Sequence, residues 1–370
     1  MSTGETVLFL AVIGARFLVP LLIPLFPLPA IVVCLVLDAV DQSIFQAFGY
    51  DPPGYQAYDK AMDVYYLALA YLSTLRNWSS VAAYGVARFL YFYRLVGVVA
   101  FELTHVRALL LVFPNTFEYF FMAYEAIRSR WGTTRWGLWW WIGVAALIWV
   151  FVKLPQEWWI HVAQLDFTEF LDNNTWAGPG IVAAALIAAG AFWVWGRPRM
   201  LPADHVLRFA AEPLTASANA GLGPSSIHGD QSRVWSTATL EKVTLLGLLS
   251  VIFAQTLPGV EASNIQVFLG AGTVVVVNTA FSLILTSRSI SVESTALAFA
   301  TRTAANVVLV AIAAWLLPPG DGEISVAPTL FFLTLISLVT TLHDRWYPVM
   351  LGRVAASSNA SGRVVAMEAP

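Results

Sequence analysis

The sequence predicts an all-α integral membrane protein, a polytopic helical bundle with about 10 or 11 transmembrane helices. The chain has 370 residues, of which 58% are hydrophobic and only 12% are charged, whereas soluble domains carry about 25% charged residues. Its mean hydropathy is +0.70. Aromatic residues make up 14% of the chain, as expected where many membrane–water interfaces must be anchored. This composition excludes a soluble enzyme and a disordered protein.

Apolar stretches define the predicted elements in chain order. A bilayer core about 30 Å thick needs roughly 20 helical residues, and in lipid each segment must satisfy its own backbone polar groups, which favours helices. Stretches of this kind lie at 6–26, 28–46, 57–75, 80–101, 107–124, 135–153, 178–196, 242–258, 264–286, 303–317 and 328–343. The first is not expected to be a cleaved signal peptide, because Arg16 interrupts it and it leads directly into the next span.

Three further segments are predicted not to cross the membrane. Residues 154–172 interleave aromatic and acidic side chains at helical spacing, which is typical of a helix lying in the interface. Residues 197–241 are polar and rich in Pro, Gly and Ser. This loop divides an N-terminal bundle (1–196) from a C-terminal bundle (242–346), which we expect to support assembly or lipid contact. Residues 347–370 are expected to be a disordered tail.

The basic residues of the loops predict the orientation in the membrane. They concentrate at 128–135, in 197–242 and in the tail, so these segments are assigned to the cytoplasmic side and the N-terminus to the outside. A formal net charge of −3 gives no basic surplus for nucleic acid, so the expected partner is membrane lipid, with a homo-oligomer left open. We expect a multi-pass protein of the cell membrane, namely a bacterial inner membrane. The single cysteine, Cys34, excludes an intrachain disulfide.

The densest group of charges within the predicted spans lies in the second and third. Asp38 and Asp41 are three residues apart and Asp59 and Asp63 four, so each pair shares a helix face. A Gly- and Pro-rich turn at 49–54 joins the two helices as antiparallel neighbours, which would bring the four carboxylates together. Hard oxygen ligands at this density suit Mg²⁺, Mn²⁺ or Ca²⁺.

Basic side chains near these aspartates are candidates for phosphate binding. Arginine suits bidentate contact with phosphate, so Arg88 and Arg94 of the fourth span, together with Lys60, are predicted to bind the phosphate of a lipid substrate. The alternative is that these three cations neutralise the carboxylates in a buried ion network.

Glu118 marks a candidate ion path. Pro114 interrupts the fifth span, and Asn115 and Thr116 can satisfy the broken helix. A carboxylate at such a break predicts a proton or cation site. The alternative is a kink in which Glu118 pairs with an arginine.

The aspartate spacing resembles that of the CDP-alcohol phosphotransferase family, D-x2-D-G-x2-A-R-x8-G-x3-D-x3-D. The intervals of 3, 18 and 4 residues match, and the segment GARFLVPLLIPLFPLP resembles the family's Arg- and Pro-containing first helix. Gln42 and Tyr55 stand where the family has glycine, and Phe45-Gln46 where it has Ala-Arg. The resemblance covers residues 5–65 in detail.

This resemblance implies a metal-dependent phosphotransferase. Asp38, Asp41 and Asp59 would bind one ion of Mg or Mn and Asp59 and Asp63 a second, while Asp63 would be the catalytic base that takes the proton of the acceptor alcohol. Two other functions remain open. The same carboxylates and Glu118 would serve a transporter or cation-binding membrane protein, and they would also be present in a non-catalytic membrane scaffold.

Overall fold

A computed structural model of the chain describes residues 3–48, 55–163, 170–171, 173–213, 234–255, 257, 260, 262–287, 294–316 and 326–368. These residues form helices joined by short connections, and no β-strand occurs among them. The predicted all-α class is therefore confirmed.

The helices of the first half surround the predicted aspartate site. They are α1 (Thr3–Leu18), α2 (Pro27–Ala47), α3 (Tyr55–Asn77), α4 (Val81–Thr104), α5 (Ala108–Val112), α6 (Thr116–Arg128) and α7 (Leu138–Ile148, continued by Trp149–Lys153, Leu154–Glu157 and Trp158–Val162). The remaining helices are α8 (Ala177–Ala191, continued by Phe192–Gly196 and Arg197–Arg199), α9 (Thr237–Ala254), α10 (Asn264–Ser287), α11 (Thr295–Leu316) and α12 (Val326–Glu368).

Several of these helices meet the requirements for a membrane span. Within the described residues, those long and apolar enough are Leu138–Ile160, Ala177–Arg199, Thr237–Ala254, Thr295–Ile312 and Val326–Ser357. Each apolar stretch predicted from the sequence lies on one or two helices over most of its length. Helix α3 is long enough but carries several charges, and it is enclosed by other helices rather than by lipid.

Helix α3 lies at the centre of the bundle. Its residues from Ala61 to Leu75 are almost all buried, because α1, α2, α4, α9 and α12 all pack against it. Helices from both halves of the chain thus share one hydrophobic core, which extends from Ile23 to Met350. The structure therefore differs from the predicted division into two bundles at 197–241.

Helix α7 continues where the sequence predicts that a span ends and an interfacial helix begins. Pro155 lies within it, and the neighbouring turns Trp149–Lys153 and Trp158–Val162 are π-helical, a geometry that locally adjusts the backbone hydrogen bonding of a helix. Residues 164–169 and 172 of the predicted interfacial helix lie outside the described residues, as does the predicted turn at 49–54.

The tail that the sequence predicts to be disordered is helical, because α12 runs through Pro348 to Glu368. Arg353 fastens this part of α12 to the end of α3. Its guanidinium donates to the carbonyl oxygens of Arg76 at 2.7 Å and Trp78 at 2.9 Å. Composition alone gives no sign of this docking, which stabilises a segment that is otherwise rich in Ala, Ser and Asn.

Candidate functional site

Four aspartates of α2 and α3 meet around one guanidinium, that of Arg16 on α1. The Arg16 side chain is only 3% exposed and donates hydrogen bonds to Asp38 and Asp41. Its Nη1 lies 2.8 Å from Oδ1 of Asp59, and its Nη2 lies 3.0 Å from Oδ1 of Asp63. The predicted convergence of the four carboxylates is therefore present in the structure.

The cation within this cluster is Arg16, and not the three that the sequence suggested for a neutralising network. Lys60 lies 3.5 Å from Glu102 and 4.0 Å from the centre of the Phe101 ring. Arg94 donates to the carbonyl oxygen of Phe113 at 2.9 Å. One guanidinium opposes four carboxylates, which leaves a surplus of negative charge that protons or a further cation must balance inside a membrane bundle.

A cavity of about 250 Å³ adjoins three of the four aspartates. Asp38, Asp59 and Asp63 line it, and one carboxylate oxygen of each lies within 4.8 Å of the others. Asp41 is fully buried beside Arg16 and does not line the cavity. The geometry thus offers three of the predicted ligands to a cation, and Asp41 serves to hold Arg16.

Residues at the break between α5 and α6 also line the cavity. Glu118 is 3% exposed and accepts hydrogen bonds from Tyr66 Oη at 2.7 Å and from Asn115 Nδ2 at 2.9 Å. The side-chain oxygen of Asn115 is buried, and it has no hydrogen-bond partner among the described residues. A buried amide oxygen without a donor is costly, and it is also a good ligand for a hard cation.

Two carbonyl oxygens at the break accept hydrogen bonds from side chains of α4. Tyr93 Oη donates to the carbonyl oxygen of Val112 at 3.0 Å, and Arg94 donates to that of Phe113 at 2.9 Å. The predicted interruption at Pro114 is thus present. Neither predicted role of Glu118 includes its actual partners, a tyrosine and an asparagine.

Helix α7 contributes polar residues that the sequence did not single out. Lys153 and Glu157, 3% and 4% exposed, line the same cavity, and Glu157 Oε1 accepts from the backbone N–H of Asn115 at 3.2 Å. Their spacing of four residues around Pro155 places both charges on one helix face. That spacing could have predicted a polar helix face. The sequence prediction instead ended the span at residue 153 and assigned Glu157 to an interfacial helix.

Arg88 lies apart from the cavity, in a second polar cluster. It pairs with Glu241 of α9 at 2.7 Å. Tyr71 donates to the same carboxylate, and His343 Nε2 lies 3.3 Å from it. Nearby, Asp344 bridges Lys242 at 2.6 Å and Arg302 at 2.8 Å. These hydrogen bonds and ion pairs join α3, α4, α9, α11 and α12 within the bundle.

Comparison with protein-family models, with curated proteins and with solved structures finds no match for this chain. The candidate site therefore rests on its own geometry. Its chemistry is that of a mixed-charge cavity. Three cations, Lys60, Arg94 and Lys153, line it together with five carboxylates, those of Asp38, Asp59, Asp63, Glu118 and Glu157. Such a cavity can bind a cation and an anionic group side by side.

Proposed function

We propose that this protein is a membrane-embedded, metal-dependent enzyme that transfers a phospho-group to or from a lipid or alcohol substrate. The observation that supports the proposal is the convergence of Asp38, Asp59 and Asp63 on one cavity, with oxygens within 4.8 Å of one another. Mg²⁺ or Mn²⁺ is the metal that we propose for these hard oxygen ligands. The unsatisfied oxygen of Asn115, which lines the same cavity, is a candidate for a further, neutral ligand.

The remaining charges of the cavity suit the phosphate part of a substrate. A metal bound to the aspartates would neutralise phosphate charge, and Arg94 and Lys60 would contact the phosphate oxygens. Asp63 is the proposed general base toward the acceptor hydroxyl, the role implied by the resemblance of its spacing to the CDP-alcohol phosphotransferases. Arg88 has no part in this proposal, since it lies with Glu241.

The membrane setting favours a lipid as one of the two substrates. The cavity is lined by helices of a bundle in which several helices are long and apolar enough to cross a membrane, which favours a substrate that is itself held in the bilayer. We propose the cell membrane as the location and membrane lipid as the partner.

Metal binding is the first test. Purified protein in detergent is unfolded thermally with and without Mg²⁺ or Mn²⁺. A ligand at 100 times its Kd adds about 2.7 kcal/mol to stability, so a clear rise in Tm is expected. Asp59→Asn should abolish the rise, whereas Asp204→Asn, which alters an exposed carboxylate in a loop, should keep it. A protein that no divalent cation stabilises would refute the metal site.

Turnover is the second test. The protein in nanodiscs is supplied with a CDP-activated lipid and candidate acceptor alcohols, and release of CMP is measured. Asp63→Asn should abolish release while leaving the unfolding transition in place. Full activity of Asp63→Asn would show that Asp63 is not the general base. Metal binding without any transfer would contradict the enzyme and favour a cation-binding protein.

A second candidate function, cation transport, is favoured by the position of Glu118. This buried carboxylate lies at a helix break in the same cavity as the aspartates, an arrangement that transporters use for coupling ions. Transport predicts proton- or Na⁺-driven flux in liposomes that Glu118→Gln abolishes, and an enzyme predicts no such flux. If single Asp→Asn changes are tolerated in both assays, the protein is a non-catalytic scaffold.

A further inference from the structure

A second cavity, of about 610 Å³, lies at the other end of the bundle. Its walls come from the end of α3, the end of α6, the segment after α8 and helix α12. On α3, Asp63 precedes Arg76 by 13 residues, which corresponds to about 20 Å along a helix. The two cavities are therefore separate sites on opposite halves of the same central helix.

Arginines dominate the lining of this cavity. They are Arg76, Arg128, Arg208 and Arg353. Two of the four have carboxylate partners: Arg128 donates to Glu125 at 2.6 Å, and Arg208 lies 3.7 Å from Glu212. The four arginines come from segments far apart in sequence, so the concentration of positive charge is a product of the fold.

The other two arginines are held by neutral groups. Arg76 donates to the carbonyl oxygen of Pro24 at 2.9 Å and to Asn77 Oδ1 at 2.6 Å, and Arg353 donates to main-chain carbonyls of residues 75–78. Within the described part of the chain, neither forms an ion pair. Carbonyl oxygens satisfy N–H donors but carry no full charge, so the cavity keeps a surplus of positive charge.

The segment after α8, which lines one part of the cavity, is held in a defined position. The backbone N–H of Asp204 donates to the carbonyl oxygen of Arg130 at 2.9 Å, that of Arg208 to Ser129 at 3.1 Å, and that of Ala211 to Leu25 at 2.8 Å. These three bonds hold Arg208 at the rim. Its side chain remains largely exposed, at 61%, and its ion pair with Glu212 spans 3.7 Å.

We propose that this cavity binds a phosphate group. Guanidinium groups pair with phosphate through two parallel hydrogen bonds, and basic pockets at one face of a membrane bundle are suited to anionic headgroups. The volume is within the range of small-molecule sites. Two sources share this chemistry, the headgroup of an anionic phospholipid and a phosphate-bearing solute, and the site is independent of the aspartates and of the reaction proposed for them.

The test uses the full chain and inorganic phosphate as the first probe. Thermal unfolding in lipid-free detergent is followed as phosphate replaces chloride at constant ionic strength. The second probe is nanodiscs of phosphatidylcholine with or without phosphatidic acid. Stabilisation by phosphate and by phosphatidic acid indicates a site open to both sources, and stabilisation by phosphatidic acid alone indicates a lipid site.

Two matched variants make the result specific. Arg208→Gln changes an exposed side chain whose ion-pair partner, Glu212, is itself exposed. It should weaken the apparent affinity for the stabilising probe about tenfold or more, since a charge-assisted hydrogen bond is lost. Arg130→Gln removes the same charge from an exposed position in the α6–α7 connection outside the cavity, and it should bind as the parent does. An equal loss of affinity in both variants would show that only general charge attraction is measured, and it would overturn the site. The site would also be overturned if neither phosphate nor phosphatidic acid stabilised the protein.

Discussion

Arg16 occupies a position in which one side chain serves four anions. Its two Nη atoms each contact two aspartates, one from α2 and one from α3. A planar guanidinium presents several donors in a fixed fork, which a lysine could not match. Arg16 therefore holds α1, α2 and α3 together, and it also fixes the carboxylates that line the cavity.

Substitution of Arg16 is expected to be severely destabilising. Arg16→Gln leaves the fully buried Asp41 and three partly buried aspartates without their cation. Removing one partner of a buried ion pair typically costs about 3–5 kcal/mol. Thermal unfolding in detergent measures the loss, with Arg107→Gln, at an exposed position, as the control. If the aspartates bind a divalent cation, Mg²⁺ should restore part of the stability of Arg16→Gln. A variant as stable as the parent without added metal would contradict the assigned role.

The stability that the surface residue Asp204 contributes depends on pH. Its carboxylate accepts the backbone N–H of Gly132 at 2.7 Å and a hydrogen bond from Arg135. These bonds, the backbone N–H first and then the arginine, hold the pKa of Asp204 below its ordinary value of 3.8. The contact therefore contributes stability above pH 3.8, and this contribution is lost as pH falls through the lowered pKa.

Hydrogen exchange at Gly132, corrected for the intrinsic rate, measures this contact. Protection of its amide should be full at neutral pH and should fall below pH 3.8. Asp204→Asn should show weaker protection that does not change over the same acidic range. Equal protection in the parent and the variant at neutral pH would show that the carboxylate does not hold the amide.

Among the elements, helix α4 depends on a glycine for its fit against the α5–α6 break. A Cβ atom at Gly97 would lie 2.1 Å from Phe113 Cβ and 2.5 Å from its Cγ. Rotation of the Phe113 side chain does not move its Cβ, so it cannot relieve the shorter contact. The close approach brings Tyr93 and Arg94 of α4 within reach of the carbonyl oxygens that the break exposes. Glycine at this position thus supports the wall of the aspartate cavity.

Two alanine substitutions on α4 test this packing. Gly97→Ala should destabilise the protein by about 1–3 kcal/mol, because overpacking forces the backbone apart. Gly85→Ala places its Cβ where nothing lies within 4 Å, and it should be neutral or stabilising by up to about 1 kcal/mol, since alanine favours helix over glycine. Thermal unfolding compares them, and equal effects of the two changes would contradict the close contact.

The elements also show which features a single sequence can predict. Hydropathy and length located the helices, and Pro114 located the break, because these are local properties. Spacing on helix faces was enough to bring Asp38, Asp41, Asp59 and Asp63 together. The partners were not predictable: Glu241 meets Tyr71, which is 170 residues away, and His343, which is 102 residues away. Local patterns carry no record of which distant helix packs against α3.

For the whole molecule, the distribution of charge gives the bundle two different ends. Arginines from four segments gather around one cavity, while the aspartate cavity lies toward the opposite end, about 20 Å away along α3. Basic residues favour the cytoplasmic face. We therefore expect the phosphate-binding cavity to face the cytoplasm and the aspartate cavity to lie in the outer half of the membrane.

Cysteine labelling in intact cells tests this arrangement. Cys34, which is buried, is first replaced by alanine, and single cysteines are then placed at exposed positions at the two ends of the bundle. Val106→Cys lies just after α4 ends, and Arg130→Cys lies in the connection that meets the start of α4, where Thr133 Oγ1 is 3.2 Å from Ser79 Oγ. A membrane-impermeant maleimide should label Val106→Cys in intact cells, and Arg130→Cys only after the membrane is opened. The reverse pattern would keep the helix arrangement and invert the orientation, whereas labelling of both positions from outside would contradict the separation of the two ends.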